Sequence, residues 1–217
     1  MSQSELTREV ARRVFASEFN DSTYTFKESD DERAPNYALL PTGDRANRVF
    51  VVGTLTETED VGDESEYWRG RVVDPTGTFF VYAGQYQPEA ASVLRDTEPP
   101  AYVSIVGKPR TYETDDGTVN VSLRPESISI VDDATRDRWV VEAAELTLDR
   151  IEAFEEWEAE QEAPESGSTA PTNEYAEMAR ERYDSPVVNY RNDVIQALES
   201  LETVEEEEQA DDPEATI

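Results

Sequence analysis

Neither cysteine nor histidine occurs anywhere in the chain. That excludes a disulfide, a thiolate nucleophile, a zinc site built on sulfur or imidazole, and a His-based acid/base pair; a metal could be held only by oxygen. Lysine is nearly absent too, with Lys27 and Lys108 the only two among 19 basic residues. No window approaches the roughly 18 apolar residues of a membrane span, and the N-terminus lacks the basic-plus-apolar pattern of a secretory signal. A cytoplasmic location is expected.

Acid is what the chain has in excess: 50 Asp and Glu give a net charge of -31, and mean hydropathy is -0.71. Acid excess with arginine in place of lysine and no low-complexity sequence is the pattern of a cytoplasmic protein from an extreme halophile. The alternative is an ordinary protein with acidic tails. The charge is spread, however, with net -7 over residues 48–131 and -21 over 132–217. Such a balance normally speaks against nucleic acid, but in about 1 M salt the Debye length is only ~3 Å. Distant repulsion is then screened and counterion release is weak, so any nucleic-acid contact would rely on stacking and close arginines.

The most informative stretch is Tyr67-Trp68-Arg69-Gly70-Arg71-Val72-Val73-Asp74-Pro75-Thr76-Gly77-Thr78-Phe79-Phe80-Val81-Tyr82. Asp-Pro-Thr-Gly supplies a side-chain acceptor, a pre-set φ and a residue tolerant of positive φ, and the flanks are β-branched and aromatic, so the stretch predicts a hairpin. Strand alternation then fixes the faces. With Trp68, Gly70, Val72, Phe79 and Val81 inward, Tyr67, Arg69, Arg71, Val73, Phe80 and Tyr82 point out. Rings beside arginines are what single-stranded nucleic acid uses for stacking and backbone charge. The competing reading is a strand buried on both faces, which would leave two arginines inside.

Around the hairpin the chain reads in order. Residues 4–19 place Leu6, Val10, Val14 and Phe15 near helical spacing behind Ser4 as N-cap. Residues 20–44 read as an irregular wrapping segment. A strand at 48–56 is apolar on both faces, with Gly53 marking a bulge or bend. An acidic loop leads to the hairpin, then residues 85–95 form a short helix with Tyr86, Ala90, Val93 and Leu94 on one side. Strands follow at 101–107 and 119–125, the second interrupted by Pro125 and continued at 127–131. Three strands, a helix and two strands is the order of an OB-fold barrel. From Asp133, apolar residues recur at three and four spacing over about seven turns, a long amphipathic helix.

The expected fold is therefore mainly β with flanking helices: a single five-stranded OB-fold barrel, an N-terminal helix, a long C-terminal amphipathic helix and further C-terminal helices. Its divisions are an N-terminal helix and wrapping segment (1–47), the barrel (48–131), the long helix (132–162), a linker (163–173), a helical segment (174–204) and an acidic disordered tail (205–217).

Val72-Val73-Asp74-Pro75-Thr76-Gly77-Thr78-Phe79, Gly107-Lys108-Pro109-Arg110 and Ser122-Leu123-Arg124-Pro125-Glu126 resemble the nucleic-acid-binding OB domains of replication protein A (RPA). Arg33-Ala34-Pro35-Asn36-Tyr37, Pro41-Thr42-Gly43 and Asn47-Arg48-Val49-Phe50-Val51-Val52-Gly53 narrow the likeness. Over about residues 5–160 the chain resembles the haloarchaeal RPA-associated family, small acidic single-OB proteins. The resemblance implies a role in DNA replication and repair, single-stranded DNA as ligand, and a larger RPA subunit as partner. Large subunits of that kind usually carry a zinc-binding insertion, which a chain without Cys and His cannot, and this favours an accessory role.

OB domains bind across strands two and three and the loops one-two and four-five. The expected nucleic-acid set is accordingly Tyr67, Arg69, Arg71, Phe80 and Tyr82 with Lys108, Arg110, Tyr112 and Arg124. For Lys108, Arg110 and Arg124, pairing with the abundant carboxylates is the competing role. Trp139, Val140, Leu146, Ile151, Phe154 and Trp157 offer a subunit interface, or alternatively pack on their own barrel. No phosphate-cradling glycine loop or nucleophile elbow occurs, and carboxylate pairs carry no information among 50 acids, so no enzyme, cofactor, metal or small-molecule substrate is expected. Three readings stand: a single-stranded DNA binder, a protein-interaction subunit that stabilises its RPA partner without touching DNA, and an RNA-binding OB module.

Overall fold

A computed structural model describes residues 9–31, 34–162, 173–183 and 187–210. Its centre is a closed barrel of five strands: β5 (Val49–Asp60), β6 (Trp68–Asp74), β7 (Gly77–Ala83), β8 (Ala101–Glu113) and β9 (Val119–Ile130), with α2 (Pro88–Asp96) between the third and fourth. Neighbours around the barrel run β5-β6-β7-β9-β8 and back to β5, with β7–β9 the one parallel seam among them. Closure works because β5 serves two partners. Residues 49–55 pair with β8, residues 54–60 pair with β6, and the register shifts between Leu55 and Glu57. Gly53 lies at this handover, where a Cβ would sit 2.5 Å from the Val73 carbonyl oxygen. The expected bend is therefore a close backbone approach, with the bulge itself three residues on.

The barrel interior holds the inward set predicted for the hairpin, Val72, Phe79 and Val81, together with Leu55, Val103, Ile105 and Leu123, all fully buried, and Leu94 of α2 packs into the same core. β8 and β9 are each longer than the sequence suggests. Pro125 does not end its strand, because the register shifts opposite Val106 and Gly107 and lets β9 bulge past the missing N–H.

Two N-terminal expectations are corrected. A helix over 4–19 is replaced, where described, by β1 (Arg12–Arg13), parallel to β5, and the short α1 (Ala16–Asp21); residues 1–8 lie outside the described residues. Val14, Phe15 and Phe19 are buried, so the apolar spacing is real, but extended backbone through residue 15 puts both Val14 and Phe15 into the core. The wrapping segment is not irregular either. β2 (Thr25–Lys27), β3 (Asn36–Leu39) and β4 (Arg45–Ala46) form a three-stranded antiparallel sheet.

The hairpin turn anchors α1. Asp74 Oδ1 accepts from Thr76 N (2.7 Å), Thr76 Oγ1 (2.9 Å) and Gly77 N (2.9 Å), while Oδ2 accepts from Ala16 N (2.8 Å). The side chain thus closes its own turn and caps a helix whose own N-cap, Phe15, has no side-chain acceptor. Gly77 does not use a positive φ as anticipated, and a Cβ there would meet Ala16 only at ordinary contact distance, 3.4 Å.

α3 (Asp133–Glu162) is the spine of the rest. Its first half packs on the barrel through Trp139, Val140, Ala143 and Ala144. Trp139 meets Phe15 edge-on at 5.5 Å and donates from Nε1 to the Phe50 carbonyl (3.1 Å). Its second half joins a separate core in which Phe154 and Trp157 meet Leu39 of β3 and Ala176 and Ala179 of α4 (Glu174–Arg182). Arg150, between the halves, reaches the buried Glu18 of α1 (Nη2 to Oε2, 2.6 Å) and also contacts Thr42, Thr147 and the Arg13 and Leu146 carbonyls. α5 (Val187–Ala210) lays Tyr190, Val194 and Ala197 into the assembly and extends through residues 205–210, which were expected in a disordered tail. Residues 211–217 and linker residues 163–172 lie outside the described residues. No described helix is long and apolar enough to cross a membrane.

Of the side chains expected at a subunit interface, Trp139, Val140, Ile151, Phe154 and Trp157 are buried within the chain's own fold. The amphipathic face that looks free in sequence finds the barrel, the small sheet and α5. Leu146 alone of the six is on the surface, 39% exposed.

Candidate nucleic-acid interface

The alternation predicted for the hairpin is realised: Gly70, Val72, Phe79 and Val81 are buried, and Arg71 and Phe80 are exposed. Across β6 and β7, Arg69 stands opposite Tyr82 and Arg71 opposite Phe80. The seam with β9 pairs Val81 with Leu123, so the outward residues flanking that pair are Phe80 and Tyr82 on one strand and Ser122 and Arg124 on the other. β8 completes the rows, with Lys108 opposite Arg124, Arg110 opposite Ser122 and Tyr112 opposite Asn120. Two rows therefore cross four strands on the outward side, Arg69–Tyr82–Arg124–Lys108 and Arg71–Phe80–Ser122–Arg110, the second interrupted at the buried Ser122, whose hydroxyl donates to the Arg110 carbonyl (3.3 Å). Residues that are 55 positions apart in sequence come to one face.

Aromatic order reinforces this. Tyr67 and Tyr82 stack with centroids 5.7 Å apart and planes at 21°. The loop before Tyr67 is pinned by Asp60, whose Oδ1 accepts from Gly62 N and Tyr67 N, both at 3.0 Å; these hydrogen bonds hold its carboxyl below the usual range. Behind the Tyr67 ring is Gly84, where a Cβ would come within 2.8 Å of Cδ2. The Tyr82 phenol is pushed up, first by burial and then by the neighbouring Tyr112, with Arg69 opposing. Tyr67, Phe80 and Tyr112 are 44%, 37% and 45% exposed, enough to offer ring faces to a ligand.

The cations divide into two groups. Arg69 is held by Glu59 (2.6 Å) and Glu57 (3.6 Å), both on β5. Arg71, Arg110 and Arg124 make no ion pair with any described residue. Arg124 is held below the usual arginine range by partial burial first and by the Arg110 charge second, so two unpaired guanidiniums sit close together in a chain of net charge -31. Such crowding costs energy unless an anion or an aromatic face answers it. Lys108 is half-buried and already engaged within the chain.

One residue at this wall escapes sequence reasoning. Tyr86 reads as part of the buried face of a helix, yet it is 84% exposed. The helix starts only at Pro88, in the first-turn position proline favours, so Tyr86 stands in the loop before it. It lines a surface cavity with Gln87, Glu89, Arg124 and Glu126.

No protein-family model and no curated protein sequence matches the chain. Solved structures do. One chain of the S. pombe Stn1–Ten1 complex aligns at TM-score 0.52 and 13% identity over 67% of this chain and 96% of that one. Shorter alignments reach the mitochondrial single-stranded DNA binding protein Rim1 of S. cerevisiae (TM-score 0.31, 20% identity, 39% of this chain and 92% of that one). A second single-stranded DNA binding protein, SSBb of Mycobacterium smegmatis, aligns at TM-score 0.34 and 18% identity over 41% of this chain and 88% of that one. The class is set by the barrel's own strand order together with the first of these: the protein is an OB-fold protein.

Proposed function

We propose that the protein binds single-stranded DNA on the outer wall of β6, β7, β9 and β8 and acts as an accessory OB subunit beside a larger RPA subunit in replication and repair. The observation that carries this is the pair of rows that set Tyr82 between Arg69 and Arg124 and Phe80 beside Arg71, with Arg71, Arg110 and Arg124 making no ion pair among the described residues of a strongly acidic chain. Rings supply sequence-tolerant stacking, and close guanidiniums supply the charge that long-range attraction cannot in molar salt. The sequence resemblance to the haloarchaeal family supplies the accessory role. Exposed Leu146 and Val141 on α3 and Val188 and Ile195 on α5 offer apolar contacts for a partner.

Fluorescence-anisotropy titration of a labelled oligonucleotide in molar KCl tests the reading. The double variant Phe80→Ala/Tyr82→Ala should lose roughly 1–3 kcal/mol per stack. Unchanged affinity with an intact fold refutes the assignment of this wall. An RNA oligonucleotide of the same sequence run in parallel decides between DNA and RNA, and co-purification with the larger subunit tests the complex separately.

A further inference from the structure

We infer that the cavity between Tyr86 and Arg124 is a pocket for one unpaired nucleobase, placed beyond the strand wall, and that Tyr86 is its stacking platform. This rests on the single-strand reading above and extends it from a flat wall to a defined subsite.

Tyr86 is the most exposed aromatic ring among the described residues, and it is not an isolated surface tyrosine. It shares its cavity with Arg124. Arg124 belongs to the same row as Tyr82, across the seam that joins Val81 to Leu123, and the Tyr82 ring is stacked on Tyr67. The rings and the guanidinium thus continue the wall from β6 over β7 and β9 into the cavity. Gly84, between Tyr82 and Tyr86 in sequence, lets Tyr67 fold back against the chain there.

The lining selects a base over a phosphate. Glu89 and Glu126 stand in the same walls, and two carboxylates repel a phosphodiester while accepting hydrogen bonds from base amino or imino groups. Glu126 is ion-paired with the buried Arg48 and so is fixed in place. Arg124 has no ion-pair partner among the described residues and can donate to a base carbonyl or ring nitrogen or lie flat on the ring. Gln87, whose Oε1 faces the Gly84 N–H at 3.5 Å, adds an amide edge.

The test is a cycle between the protein and the ligand. Tyr86→Ala and the wild-type chain are titrated in molar KCl with an oligonucleotide series in which one abasic nucleotide, which keeps sugar and phosphate, is moved along the strand. The expected result is about tenfold weaker binding for Tyr86→Ala to the intact strand, one abasic position that weakens wild type by a similar factor, and no further loss when the two are combined. Wild-type binding that Tyr86→Ala leaves unchanged, or losses that add at every abasic position, overturns the pocket while leaving the wall intact. If wild type binds no single strand at all, the underlying reading fails and the pocket with it. Tyr86 is so exposed that its removal should leave the melting temperature unchanged, which the same samples report.

Discussion

Arg150→Met is the most direct probe of how the long helix belongs to this fold. Glu18 is 1% exposed and Arg150 is 11% exposed at the side chain, and their 2.6 Å contact ties α3 to α1. Methionine keeps most of the stem volume but removes the charge, leaving the Glu18 carboxylate with the Thr42 hydroxyl (2.5 Å) in a site that water does not reach. Breaking one partner of a buried pair costs about 3–5 kcal/mol, because a buried charge is left uncompensated. Against a total stability of roughly 5–15 kcal/mol that is a severe loss, and it corresponds to a midpoint about 6–20 °C lower for a chain of this size. Removing both charges should be far milder: Glu18→Leu/Arg150→Met is expected within about 2 kcal/mol of wild type. Thermal unfolding followed by circular dichroism in molar KCl measures all four corners of the cycle, under conditions where exposed ion pairs are screened and this one is not. A loss below about 1 kcal/mol for Arg150→Met, or a double variant as unstable as the two single losses added together, would refute the docking of α3 through this pair.

Other expectations follow from the same structure. Trp139→Ala should cost about 3–5 kcal/mol, whereas Leu146→Ala, two turns further along the same face of α3 but left on the surface, should change stability by less than about 0.5 kcal/mol; equal losses would contradict the packing described. Glu57→Gln/Glu59→Gln releases Arg69 and should tighten single-strand binding by up to about fivefold, the worth of an exposed ion pair, with a steeper salt dependence; anisotropy titrations at several KCl concentrations report both. Burial pushes the Asp74 carboxyl up to about 6 against its three backbone donors and the Thr76 hydroxyl, so the folded state holds a proton that the unfolded state has released. That contribution to stability is fully present below the unfolded carboxylate pKa, about 3.9, and is lost as pH rises through about 6, roughly 3 kcal/mol in all. Melting curves over pH 4–7 should show this slope in wild type and not in Asp74→Asn.

The sequence by itself determined the barrel and its faces. Alternation is a local property, and the turn at Asp74 to Gly77 sets its phase, so the inward set of Val72, Phe79 and Val81 and the outward set of Arg71 and Phe80 were legible without coordinates. The period of α3 was equally local. What covers that helix was not, since a stripe of Trp139, Ile151 and Phe154 looks the same whether it meets a partner or its own chain, and only the tertiary structure supplied the barrel and small sheet that bury it. The same holds at the interface. Pairing of Val81 with Leu123 is a contact between distant segments, and it alone brings Arg124 beside Tyr82. The capture of Arg69 by Glu57 and Glu59, and the swing of Tyr86 out of a helix that starts two residues later, depend on where a bulge and a proline place the backbone. Residue type and spacing fix which faces exist; closure of the barrel decides which of them meet, because each such contact joins groups whose separation along the chain carries no periodic signal.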